Sequence, residues 1–167
     1  MTTYKQPWIN TAFAYKGTNE LSGSANSQKI LNWAKIVGGN VATDYNADSI
    51  PWCGLFVSFC MAQNGIVPVD QPLWALNWNK FGTKLTEPAF GCVMVFKRPS
   101  GGHVAFYIGE DSSNYIVLGG NQSDTVSLTK IAKSRCVGYR WPPNMDKFLT
   151  KGRVKTTLAG AVSTNEA

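Results

Sequence analysis

The chain has a single histidine and no Cys-X-X-Cys pair. It has no run of five basic residues, and no apolar stretch approaches the roughly 18 residues that a membrane-spanning helix needs. Each absence closes a class. One histidine with the dispersed cysteines Cys53, Cys60, Cys92 and Cys136 leaves no ligand set for zinc, so no metal and no other cofactor is expected. Without a basic block interleaved with aromatics, nucleic acid is not an expected partner, and the missing apolar stretch argues against stable membrane insertion. Met1 to Pro7 lacks a charged segment followed by an apolar one, so no signal peptide is expected. Such a protein is made in the cytoplasm, and any action outside would follow release or delivery.

What is present is globular composition. Hydrophobic residues make up 44% and charged residues 16% of 167 residues, enough for one domain with a real core. The net charge of +6 favours an anionic partner such as a bacterial wall.

Trp8, Ala12 and Tyr15 at i, i+4 and i+7 predict a short helix from Pro7 to Lys16. Asn26 or Ser27 caps a second, with Ile30, Ala34 and Val37 on one stripe and Gly38-Gly39 as its stop. Val41 to Asp48 reads as a polar connection. A further helix opens at Pro72, with Trp74, Trp78 and Phe81 all expected in the core. From Gly91 the period changes to two, giving strands near 92–96, 103–109, 115–120, 126–128 and 136–141. Helices first and antiparallel strands after predict an α+β fold, with N-terminal helices packed on one face of the sheet. Residues 1–143 form the expected domain, and 144–167 read as a flexible basic tail.

The stretch from Asp48 to Ala62 organises the rest. Ser49 or Asp48 offers a cap, Pro51 suits a first turn, and apolar residues then run to Asn64-Gly65. Cys53 therefore falls in the first turn of a buried helix, where unpaired N–H groups and the positive end of the dipole favour a thiolate. The same N–H groups could hold an oxyanion. Cys60, two turns on, reads as core, and Cys92 and Cys136 as strand residues.

His103 can be placed by register. Pairing Ile108 with Ile116 and Phe106 with Leu118 buries one apolar face, and the same register sets His103 opposite Asn121. A cross-strand amide oxygen could then accept from one imidazole nitrogen and leave the other to take a proton from a thiol.

Pro51-Trp52-Cys53-Gly54-Leu55-Phe56, then Gly102-His103-Val104-Ala105-Phe106-Tyr107-Ile108-Gly109, then Gly119-Gly120-Asn121-Gln122 resemble, in that order, the cysteine peptidases and amidases of the NlpC/P60 and CHAP superfamily. The likeness is greatest to compact phage and prophage enzymes, and spans Pro7 to Pro142. It implies a papain-like half domain that hydrolyses an amide bond of bacterial peptidoglycan, as an endopeptidase or as an N-acetylmuramoyl-L-alanine amidase. Carried over by position, Cys53 is the nucleophile, His103 the base and Asn121 the third polar residue. Tyr45 is implied as a second oxyanion donor, and Trp52, next to Cys53, reads as a wall of the substrate cleft or as a packing residue. A glutamate that CHAP members often carry two residues before the asparagine is replaced by Gly119. The expected partner is peptidoglycan, and the expected state a monomer. Other functions compatible with these motifs are an interbacterial wall-degrading effector, a non-catalytic wall-binding module and an acyltransferase using the same thioester.

Overall fold

The computed structural model describes residues 1–166. Four α-helices come first: α1 (Pro7–Ala14), α2 (Gln28–Val37), α3 (Gly39–Asp44) and α4 (Cys53–Ala62). Pro7 stands in the first turn of α1, and Trp8, Ile9 and Ala12 face the core. Ser27 caps α2 by accepting from the Ile30 N–H at 3.4 Å, and Gly38, at φ 77°, ends it. α3 occupies residues expected to be a connection. Val41 is its only buried side chain, too little periodicity to announce six helical residues.

α4 is apolar all round: Cys53 to Met61 are all buried, so it is the centre of the molecule rather than a surface helix. Its first turn carries no side-chain cap. Asp48, expected as a cap, is itself buried and accepts from the main-chain N–H of Leu21 at 3.0 Å and of Ser27 at 2.7 Å, tying the 21–27 loop to the start of α2. A 3-10 helix, Ala75–Lys80, replaces the α-helix predicted after Pro72. Trp78 and Phe81 are buried as expected, but Trp74 precedes the helix and is 72% exposed. The tighter turn does not keep 74 and 78 on one face.

Seven strands follow: β1 (Thr83–Lys84), β2 (Val93–Arg98), β3 (Gly101–Glu110), β4 (Asn114–Gly119), β5 (Ser127–Ala132), β6 (Cys136–Trp141) and β7 (Val162–Ser163). They form one sheet in the order β1-β6-β2-β3-β4-β5-β7, antiparallel except for β7 on β5. The fold class is α+β, as the order of periodicities predicts. β4 and β6 lie three places apart, yet Tyr115 and Tyr139 meet with ring centroids 6.1 Å apart and hydroxyls at 3.0 Å. The sheet is therefore strongly curled, with aromatic rings inside the curl. Its other face receives α4: Phe56 packs edge-on to Phe106 of β3. Among the described residues no helix is long and apolar enough to cross a membrane.

The segment expected to be a flexible tail is instead laid back on the domain. The Gln6 side chain donates to the Phe148 carbonyl at 2.8 Å. Glu110, fully buried, is paired with Lys133 and with Arg153 at 3.0 Å, and accepts from the Tyr107 hydroxyl at 2.8 Å. Burial alone would raise its pKa, but these donors outweigh burial and hold the carboxyl at about 2. Main-chain bonds from Glu110 to the Val154 carbonyl, and from Thr156 to the Glu110 carbonyl, continue the attachment. Basic composition looks like a solvated tail until its buried acid, 43 residues upstream of Arg153, is known.

Removing one partner of a buried ion cluster leaves the others uncompensated. Glu110→Gln is expected to lower stability by about 2 kcal/mol, since Arg153 remains partly solvated. Trypsin should then cut faster at Lys151, Arg153 and Lys155; an unchanged urea midpoint and cleavage rate would contradict this attachment.

Candidate active site

Cys53 is the first residue of α4 and is 6% exposed. Its sulfur is approached by its own main-chain N–H and those of Gly54 and Val104, while the Arg98 guanidinium adds positive charge. All four favour the thiolate. Burial acts the other way and is stronger, so the thiol pKa lies above its ordinary value. The helix start supplies the donors expected of it, but in a site too dry for the thiolate to dominate.

Close packing holds this arrangement. A Cβ on Gly54 would fall 2.0 Å from the Pro72 carbonyl oxygen, and one on Gly120 would fall 2.7 Å from the Trp52 ring. The first contact seats the loop before the 3-10 helix on α4; the second seats the end of β4 there. Cys53 opens into a cavity of about 330 Å³ whose walls include Ile50, Pro51, Trp74, Arg98 and Gly102.

His103 lies on β3 opposite Phe96, next to the Val104 whose N–H meets the Cys53 sulfur. Its Nε2 is 3.0 Å from Gln122 Oε1. The orientation of that amide is fixed from behind, because Gln122 Nε2 donates to the Ser127 carbonyl at 2.6 Å, and a carbonyl can only accept. Oε1 must therefore face the ring, Nε2 carries the proton, and Nδ1 keeps its lone pair. His103 is thus held in the tautomer of a base acting through Nδ1.

The residue expected in Gln122's place was Asn121. The predicted register holds at Phe106 and Leu118, but a bulge after Tyr107 pairs Ile116 with Gly109 instead of Ile108. At the other end β4 stops at Gly119, and Asn121 takes φ 59°, a left-handed turn. The turn carries Asn121 off the strand line and brings Gln122 under the imidazole. Asn121 is buried and donates to the Glu166 main-chain carbonyl at 3.0 Å. Extrapolating a register through Gly-Gly missed this; the glycines were the available sign that pairing would end.

Two further expectations are corrected. Trp52 is fully buried, packs on Trp33 and donates its indole N–H to Glu20 at 2.9 Å, so it belongs to the core and not to the cleft wall. Tyr45 is buried at the end of α3, outside the walls of the Cys53 cavity, with its hydroxyl lacking a hydrogen-bond partner among the described residues. Burial, with Asp48 and Glu20 adding to it, holds that phenol far above its ordinary pKa. Arg98 and Glu166 lie at this end of the molecule outside the three motifs, and Gln122 stands in the third motif with no role assigned to it there.

The His103 ring is 1% exposed. Burial lowers its pKa to about 4, against the opposing pull of Glu166 and Gln122; Arg98 and Arg135 add to the lowering. Between pH 6.5 and 4 the unfolded chain binds a proton that the folded chain does not, so stability falls with pH across that window and is unaffected above it. At pH 5 the loss relative to pH 7 is about 2 kcal/mol. Urea midpoints of wild type and His103→Gln should therefore converge as pH falls from 7 to 5; parallel curves would contradict a neutral buried imidazole.

Residues 44–121 match the family model described as CHAP domain. The match begins at the end of α3, takes in α4 and β1 to β4, and stops one residue short of Gln122. No curated protein and no solved structure matches the chain. CHAP domains are cysteine- and histidine-dependent amidases and peptidases. The segment that carries Cys53 and His103 is thus a CHAP domain, of the NlpC/P60 and CHAP superfamily of peptidoglycan amidases and peptidases.

Proposed function

We propose that the protein hydrolyses an amide bond of the peptide part of bacterial peptidoglycan, through a thioester on Cys53, as a phage or prophage lysis enzyme. One observation carries this reading: Gln122, locked by Ser127, leaves the lone pair on His103 Nδ1, on a strand whose next N–H meets the nucleophile.

His103 Nδ1 takes the proton from the Cys53 thiol as the sulfur adds to the amide carbon. The oxyanion is stabilised by the unpaired N–H groups at the start of α4. Nδ1 gives the proton to the leaving amine, the C–N bond breaks, and the acyl group remains on sulfur. Water, deprotonated at Nδ1, then attacks the thioester; the acid leaves and Cys53 regains its proton. Gln122 serves the role of the orienting residue, and the imidazolium it steadies exists only during turnover, consistent with a resting ring that is neutral. Asn121, the position that the resemblance assigns to this role, is placed one residue away, in a turn. A surplus of six positive charges suits approach to an anionic wall.

Cys53→Ala should abolish the release of fragments from purified peptidoglycan while leaving the urea midpoint within about 1 kcal/mol of wild type. Mass spectrometry of the digest separates the two bonds: new amino termini within stem peptides mean an endopeptidase, and free glycan with intact stems means an amidase. Lysis by the folded alanine variant would remove the proposal. Gln122→Ala should lower kcat roughly 10- to 100-fold with little change in KM, and Asn121→Ala much less; the reverse order would return the orienting role to Asn121.

A further inference from the structure

A base that protonates a leaving amine must meet the cleft, yet His103 is 1% exposed, Gln122 2% and Asn121 5%. The residues after β7 close this end. Glu166 is 1% exposed, so it is inserted rather than laid on the surface. Its main-chain carbonyl accepts from Asn121 Nδ2 at 3.0 Å. Its carboxylate takes both Nη groups of Arg135 at 2.7 Å each, and the Ser163 hydroxyl at 2.8 Å. The Ser163 carbonyl accepts from Arg135 at 3.2 Å, and the Asn165 side-chain oxygen accepts from Arg98, which also lines the Cys53 cavity, at 3.2 Å.

These are the contacts of a bound peptide: a main-chain carbonyl on an amide donor, and an acidic side chain in a planar guanidinium fork. Arg98 adds an Nε that is buried and has no hydrogen-bond partner among the described residues. Outside the contacts of Glu166 and Asn165 the segment is held at few points. β7 makes two registered pairs with the edge strand β5, Lys130 with Val162 and Ile131 with Ser163, and most residues from Lys155 to Val162 are exposed.

We propose that Asn121, Arg135 and Arg98 form a subsite for an acidic residue of the wall peptide, and that residues 163–166 occupy it as a built-in competitor which must leave before substrate enters. The proposal rests on the peptide-hydrolase reading for the identity of the ligand. The segment stands in the place of that ligand: Glu166 supplies the carbonyl and the carboxylate, and the imidazole stays covered until both are withdrawn. Substrate and segment share Arg135, so they exclude one another.

The single histidine makes a direct test in the full chain, because any imidazole NMR signal is His103. In Glu166→Ala, and more so in Glu166→Lys, which repels Arg135, the loss of the carboxylate removes a charge that raises the His103 pKa. Release of the segment rehydrates the ring, which is the larger effect, so the pKa should rise from about 4 towards the ordinary 6.5. A synthetic stem peptide carrying a free glutamyl carboxylate should bind these variants at least 10-fold more tightly than it binds wild type, and at least 10-fold more tightly than its carboxamide analogue binds them. Adding Arg135→Ala should erase that preference for the acid. An unchanged imidazole titration, equal affinity for wild type and variants, or no preference for the carboxylate would each overturn the proposal. Binding is read without turnover, so a protein that shows the predicted binding but cleaves no wall would refute the hydrolase reading and leave this one standing.

Discussion

The contact on which the catalytic end depends is the packing of the start of α4 against the start of β3, with the sulfur of Cys53 on the main-chain N–H of Val104. With the Phe56–Phe106 packing it joins the helical layer to the sheet, and it puts Cys53 beside the residue that follows His103. Three close approaches maintain it. Gly54 admits the Pro72 carbonyl, Gly120 admits Trp52, and Gly102 admits the Leu76 side chain, to which a Cβ would lie 2.5 Å away. A side chain at position 54 would displace the backbone at Pro72, and one at 120 or 102 would push aside Trp52 or Leu76. The glycines in the three family-like motifs are thus spacing devices between layers.

The same burial that fixes the geometry sets the electrostatics. The thiol is held above its ordinary pKa and the imidazole below its own, so the resting pair is neutral despite helix-start donors and a nearby arginine. Desolvation of two groups outweighs the favourable partial charges around them. A substrate that opened this end to solvent would relieve the burial that dominates both shifts and move both groups towards the ion pair. The neutral resting site and the inserted Glu166 are consistent parts of one closed state.

Much of the fold was legible because its strongest signals are local. The apolar run from Cys53 to Met61, the cap at Ser27, and the change to period two at Gly91 each announce an element with no reference to the rest. The Cys53 and His103 candidates followed from position within such elements. What was not legible depended on distant partners. Gln122 displaced Asn121 because a left-handed residue ended the strand, which a register argument could not see. Trp52 left the cleft because Glu20 and Trp33 claim it. Trp74 emerged to the surface when the predicted α-helix tightened to a 3-10 turn. The basic tail docked because Glu110, on β3, is buried and attracts Arg153 and Lys155.

The central claim is covalent: the carbonyl side of the cleaved bond passes through Cys53. Its most direct test is an acid quench of wild type mixed with a soluble muropeptide, followed by mass spectrometry of the peptide that contains residue 53. The account predicts an adduct equal to the substrate's acyl portion on Cys53, absent from Cys60, Cys92 and Cys136, and longer-lived in Gln122→Ala, where deacylation by His103 is impaired. Product formation at the wild-type rate by Cys53→Ala, with no adduct on any cysteine, would contradict it.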